Sequence, residues 1–192
     1  MKWIVLAIVL CIVPYTVLTL RYRKEAPAFL PYEDMKNRAN IARLLAAGFQ
    51  RIPISATRPA DGAKLPGGSA ATPAPGGLPA DLKSTLVEPI LLPAEITSVT
   101  AAPTANALQP YIVQLTCTLP DDKKQLGGAH VYVRGDQLVI APTFEPIPAN
   151  LLTRSLGAAV LLTIPAGALK RGRYQTILIG EHSSRTWSLE VR

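Results

Sequence analysis

The first twenty residues hold the longest apolar run of the chain. From Trp3 to Leu20 no residue is charged, and an α-helix of that length extends about 27 Å, close to the hydrocarbon thickness of a bilayer. Pro14 removes one backbone hydrogen bond, which predicts a kink in the helix rather than its end. The pattern predicts a transmembrane anchor over residues 1–24.

Basic residues flank this run on both sides, where their side chains can reach the membrane interfaces. The predicted flanking residues are Lys2, Arg21, Arg23 and Lys24. A cleaved signal peptide is the alternative, but no small-x-small cleavage site follows the run. We therefore predict an uncleaved signal anchor in a single-pass membrane protein of bacterial-envelope type.

The sequence leaves the side of the membrane open. The excess of Arg and Lys after the run favours a cytoplasmic C-terminal part. The low charge and the Pro/Gly-rich stretch before the β-rich part are, in contrast, typical of exported modules. We predict an extracytoplasmic or periplasmic position for the β-rich part, with the cytoplasmic side as the alternative.

Apolar residues then recur at three- and four-residue spacing between residues 32 and 49, which predicts an amphipathic helix within a juxtamembrane segment, 25–52. Its predicted apolar face consists of Met35, Ala39, Ala42, Leu45, Ala46 and Phe49. Lys36, Asn40 and Arg43 lie on another stripe and are candidate contacts with anionic lipid or with a partner's membrane helices. The alternative is a helix that packs on its own domain with solvated charges.

Residues 53–90 are rich in Pro, Gly and Ala, and residues 53–83 have prolines at 53, 59, 66, 73, 75 and 79. Proline and repeated glycine sustain neither a helix nor a central strand. This composition predicts a partly extended, semi-flexible linker.

Short strands are predicted from residue 91 onward. Residues 111–119 alternate apolar and polar with a period of two, and residues 129–134 and 137–141 flank a Gly135-Asp136 turn, which predicts a β-hairpin. Further strands are predicted at 96–100, 158–164, 173–179 and 186–191. The predicted fold class is mainly β: two N-terminal helices, a linker, and a seven-stranded, Ig-like antiparallel β-sandwich over residues 91–192.

The segment Leu169–Tyr174 resembles the start of the penultimate strand of an immunoglobulin/fibronectin-III-like domain. In those domains a tyrosine at this position donates its hydroxyl to upstream backbone, and Tyr174 matches it. Trp187 is expected as a core aromatic and Cys117 as a small buried residue. Thr176 stands where an antibody-type disulfide would place a second cysteine, so that bridge is absent. The resemblance covers residues 92–192 and implies architecture only.

Composition narrows the possible functions. A chain with 48% apolar and 17% charged residues is not wholly disordered, and two cysteines do not make a disulfide scaffold. His130 and His182 are the only histidines, and no metal-ligand spacing is present. Ser183 and Ser184 beside His182 lack the signature of a nucleophile with an oxyanion hole and fit a turn. We predict no enzymatic activity, no metal and no cofactor.

The net charge of +7 and a pI near 9.6 raise nucleic acid as a partner. The basic residues are spread along the chain, however, and lack interleaved aromatics for stacking. We predict the lipid bilayer and an unidentified protein as partners, without nucleic acid or a small-molecule substrate. The predicted function is a non-enzymatic, membrane-anchored protein that presents a β-sandwich for protein–protein interaction. The alternative is an accessory subunit or assembly factor of a membrane complex such as a respiratory oxidase.

Overall fold

The computed structural model describes residues 2–22, 31–57, 69–119, 121–147 and 156–192. The chain divides into two compact units, Met1–Lys36 and Asn37–Arg192. Its helices are α1 (Lys2–Tyr22), α2 (Pro31–Ala46) and α3 (Ala80–Thr85), and its strands are β1 (Gln50–Thr57), β2 (Ser69–Ala70), β3 (Thr72–Pro75), β4 (Glu95–Ala101), β5 (Thr104–Ala105), β6 (Tyr111–Thr118), β7 (Lys124–Arg134), β8 (Gln137–Pro146), β9 (Gly157–Ile164), β10 (Gly172–Leu178) and β11 (Ser183–Val191).

The N-terminal run forms the helix α1, but the membrane prediction made from it is corrected. Over the residues that the structure describes, no helix is long and apolar enough to cross a membrane. The prediction relied on the absence of charge, which is a weaker property than a continuous apolar surface. Pro14, Tyr15 and Thr16, which are less apolar than their neighbours, lie in the middle of the run and inside the helix. The predicted single-pass signal anchor and the membrane localisation built on it are therefore wrong.

The predicted flanking residues divide between described and undescribed parts of the chain. Lys2 and Arg21 lie in the first and last turns of α1. Arg23 and Lys24 lie outside the described residues.

The second unit contains one curled, half-barrel sheet of eleven strands, counted over the described residues. The strand order is β2-β4-β6-β9-β1-β7-β8-β10-β11-β3, and β5 pairs with β11 off this path. Neighbours are antiparallel except for the β8–β10 and β5–β11 pairs. The mainly β prediction is confirmed, and the curled sheet is compatible with a sandwich-like fold.

The local strand patterns give the observed elements. The β6 side chains alternate between buried and half-buried along the whole strand, as the period of two predicts. The predicted hairpin is confirmed as β7 and β8, which pair from Arg134↔Gln137 onward. Gly135 has φ +59° in this turn, a conformation that glycine adopts without strain.

Strand β1 makes the sheet continuous, and it corrects the predicted linker and the seven-stranded sandwich. Its first half, Gln50–Ile54, pairs with β7, and its second half, Ser55–Thr57, pairs with β9. Pro53 lies in the first half, which among the described residues has β7 as its one strand neighbour, and a strand with an unpaired edge tolerates the missing N–H. Because β1 joins both groups of strands, the predictions of a Pro/Gly-rich linker and of a separate seven-stranded domain are wrong.

The rest of the predicted linker also forms ordered structure where the chain is described. β2 pairs with β4 and β3 pairs with β11, so this short segment reaches both ends of the sheet. A Cβ at Gly76 would overlap the Glu181 carbonyl oxygen, and Gly77 N donates to Gly180 O at 2.8 Å. The paired glycines here allow two backbone segments to approach closely.

Two apolar clusters stabilise the second unit, one on each face of the sheet. The inner cluster fills the curl and includes Val113, Leu115, Leu162 and Trp187. The outer cluster covers the other face of β7, β8 and β10. Its buried residues are Leu44, Phe49, Leu82, Leu92, Tyr132, Val139, Ala141 and Ile179.

Candidate functional site

The C-terminal half of α2 is fastened to the outer face of the sheet. Leu44 is 1% exposed within the outer cluster. Arg43 Nη2 donates to Ser84 O at 3.0 Å, and Val87 N donates to Asn40 Oδ1 at 2.7 Å. Asn40 and Arg43, which were predicted to contact lipid or a partner, thus bond within the chain. Lys36, the third such residue, is half-exposed and also takes part in an interaction.

The turn after α2 brings the chain back beneath the helix. Gly48 has φ +78°, the left-handed conformation that commonly ends helices. Gly48 N donates to Leu45 O at 3.0 Å, and Phe49 N donates to Leu44 O at 2.8 Å. This turn buries Phe49, which is 2% exposed, and starts β1 directly afterwards.

The helix and the strand that follows it enclose an open apolar groove of about 450 Å³, which we call the α2–β1 groove. Its lining includes Ile41, Leu44, Leu45, Phe49, Arg51 and Pro53. Ile41 is 47% exposed and Leu45 is 63% exposed. The helix predicted from the sequence is confirmed, but its predicted apolar face is not the buried one, because Met35 and Leu45 are exposed while Leu44 packs inward.

A charged side chain lies in this apolar groove. Arg51 is half-buried, and its Nη2 lies 2.7 Å from His130 Nε2. An arginine only donates, so His130 Nε2 must accept and the imidazole proton must sit on Nδ1. Burial, and secondly the positive charge of Arg51, lower the pKa of His130 from 6.5 to about 4. The imidazole is therefore neutral at pH 7, as this hydrogen bond requires.

Alternation along residues 129–132 of β7 places the even-numbered residues on the outer face. Ala129 and Val131 belong to the inner cluster and Tyr132 to the outer one, so His130 lies on the outer face of the sheet. The His130 and Tyr132 rings make an edge contact at 6.3 Å and 71°. Burial raises the pKa of Tyr132, and the charge of Arg51 opposes that rise.

An ion pair and an aromatic contact support the floor of the groove. The Arg134 guanidinium lies 4.4 Å from the centre of the Phe49 ring, within the range of a cation–π interaction. Arg134 Nη2 also contacts Asp81 Oδ2 of α3 at 2.5 Å. Asp81 of α3 thus neutralises the charge of Arg134 and holds its guanidinium over the Phe49 ring.

The residues that carried the family resemblance lie away from the groove, in the inner cluster. Tyr174 Oη donates to Lys170 O at 2.9 Å, which is the upstream backbone bond that the resemblance implies. Trp187 Nε1 donates to Tyr111 Oη at 3.2 Å, and Tyr111 Oη donates to Ala102 O at 2.8 Å. Burial raises the pKa of Tyr111 to about 12. Cys117 is fully buried in the same cluster.

The serines beside His182 serve the backbone. Ser183 Oγ accepts from Ile96 N, and Ser184 Oγ accepts from Gly180 N, each at 3.3 Å. His182 itself is exposed. In the described part of the chain, no group of three or more His, Cys, Asp or Glu side chains could hold a metal ion.

Sequence reasoning missed the groove, although one signal for it was present. Between Asp34 and Asp61 the chain has five Lys or Arg residues and no acidic residue. The pairing of Arg51 with His130 is not visible in the sequence, because the two residues are 79 positions apart. Comparison of the chain with protein-family models, with curated proteins and with solved structures finds no match.

Proposed function

We propose that this chain is a non-enzymatic protein-interaction module that binds an apolar segment of a partner protein in the α2–β1 groove. The main observation behind this proposal is that buried and exposed apolar residues lie close together in α2 and the turn after it. Leu44 and Phe49 are buried and fix the groove in place, whereas Ile41 and Leu45 expose 47% and 63% of their surface beside it. A preformed concave apolar surface on rigid elements is the usual form of a binding site.

The side chains of the groove support binding rather than catalysis. Among the described residues, its lining consists of apolar residues together with Asn37, Gln50 and Arg51, without Ser, Cys, Asp or Glu. The imidazole of His130 contacts Arg51 of this lining, and its Nε2 lone pair accepts from Arg51. A general base needs that lone pair for its substrate.

The energy available from the two exposed residues fits a binding role. Complete burial of a Leu or Ile side chain contributes roughly 1.5–3 kcal/mol, and about half of each side chain is already covered. We therefore expect about 1 kcal/mol from each on partner binding, which corresponds to a several-fold change in Kd for each truncation.

Site-specific photo-crosslinking in cells tests this proposal. A photoreactive amino acid at Leu45 should give a discrete adduct with one partner, and the adduct should disappear when Ile41→Asp is added. The matched control is the same probe at Leu108, which is 79% exposed outside the groove. Thermal unfolding of each variant verifies that it folds. Identical adducts from both positions, or no discrete adduct at Leu45, would contradict the proposal.

The finer relation to immunoglobulin/fibronectin-III-like domains is also a proposal. It is supported by the bond from Tyr174 to Lys170 O and by the sandwich-like curl of the sheet. An experimental structure whose strands β6–β11 fail to superpose on such a domain would remove it.

A further inference from the structure

We infer that the partner segment carries an Asp or Glu carboxylate beside its apolar anchor, and that Arg51 recognises this carboxylate. This inference rests on the proposed function of the α2–β1 groove and adds the chemistry of its partner. Its main support is the positive charge of Arg51 in an otherwise apolar groove.

The first observation is that no carboxylate of the described residues pairs with the half-buried Arg51, although other arginines of the chain do have such a partner. Arg134 pairs with Asp81, and Arg192 pairs with Glu190. Within the described residues, no carboxylate forms an ion pair with Arg51, whose polar contact is the neutral imidazole of His130. A half-buried cation that is not neutralised is costly, and an opposite charge on a ligand removes that cost.

The second observation is that Arg51 is held in a defined position. His130 Nε2 accepts from one Nη2 hydrogen, and a guanidinium has five N–H donors in a planar fork. The remaining donors match the two oxygens of a carboxylate. Because the ring of His130 is itself packed against Tyr132, the guanidinium is oriented before the partner arrives.

The third observation is the charge of the surrounding segment. Residues 35–60 contain five Lys or Arg residues and no acidic residue, so an acidic segment meets no repulsive carboxylate from this part of the chain. A basic partner segment would meet like charge at the groove. Because Arg51 lies beside the apolar lining, we expect one ligand to carry both the carboxylate and the apolar side chain.

A displayed library of random twelve-residue peptides, selected on the full chain, tests the inference. The probes are the selected peptides whose binding is lost on Leu45→Asp, because these use the groove. We expect them to carry Asp or Glu beside an apolar pair. Replacement of that acid by its amide should weaken binding to the wild-type chain about tenfold, and binding to Arg51→Gln by less than twofold.

Two controls separate a loss of charge recognition from a loss of folding. Arg171→Gln removes an exposed arginine at a different surface and should leave the tenfold discrimination intact. On the wild-type chain alone, raising the salt concentration from 0.05 to 0.5 M should weaken the acidic peptide more than its amide form.

The outcomes distinguish the two proposals. Groove-dependent peptides without an acidic preference, or an equal loss on wild type and Arg51→Gln, would overturn this inference and leave the proposed function standing. A selection that yields no peptide sensitive to Leu45→Asp would overturn the proposed function and this inference with it.

Discussion

The burial of His130, and secondly its contact with the positive charge of Arg51, makes the stability of the fold depend on pH in a defined window. The pKa of His130 is about 4 in the folded chain against an ordinary value of 6.5, so between these pH values the unfolded chain binds the proton more readily. Stability therefore rises with pH across this window. The contribution of the neutral imidazole is fully present above about pH 6.5 and is lost as the pH falls to about 4.

The size of the effect follows from the same two values. A difference of about 2.5 pH units corresponds to at most about 3.4 kcal/mol at 1.36 kcal/mol per unit. His130 is only half-buried, and water screens part of the interaction with Arg51. We therefore expect the neutral His130 to contribute about 1–2 kcal/mol to the free energy of unfolding.

Urea unfolding at pH 7.5 and at pH 4.5 measures this contribution when wild type is compared with His130→Gln. The wild-type free energy of unfolding should fall by about 1–2 kcal/mol more than that of the variant, since carboxylates that titrate in the same range are common to both. The matched control, His182→Gln, removes the exposed histidine and retains the contact of His130 with Arg51. An equal fall in wild type and His130→Gln would refute the reasoning.

Three further substitutions, and one control substitution, test the packing that builds the groove and the sheet. Leu44→Ala should lower the free energy of unfolding by about 2–5 kcal/mol, because it empties a site that is 1% exposed; a loss below about 1 kcal/mol in urea unfolding would contradict the anchoring of α2. Trp187→Phe removes the N–H donated to Tyr111 Oη and should cost about 1–3 kcal/mol in the same assay, whereas an unchanged midpoint would argue against that bond. Gly180→Ala would overlap a backbone carbonyl oxygen and should cost at least about 1–3 kcal/mol, and Gly128→Ala, which meets only an ordinary contact, should cost less.

The strands in the C-terminal half could be predicted because their signals are local. The alternation in β6 and the turn at Gly135 depend only on residues close in sequence, and both match the observed elements. Strand β1 has no such signal, since Pro53 lies at its centre and its neighbours come from distant parts of the chain. Arg51 pairs with Tyr132, and Ser55 pairs with Thr163. Only tertiary pairing makes this segment a strand.

The candidate groove was harder to predict than the fold for a related physical reason. Leu44 and Leu45 are adjacent on α2, and helical spacing alone does not decide which of them turns inward. The outer cluster decides it, because residues of β7, β8 and α3 pack against Leu44 and leave Leu45 exposed. The membrane prediction failed because it treated an uncharged run as a sufficient criterion.

The most direct test of the central claim is a titration of the ¹⁵N-labelled full chain with a groove-dependent acidic peptide, followed by amide chemical shifts. Binding in the α2–β1 groove should shift the amides of Ile41, Leu45 and Arg51, together with that of His130, and leave the surface around Arg171 and Arg192 unchanged. Shifts confined to that second surface, or to the edge strand β3, would contradict the account.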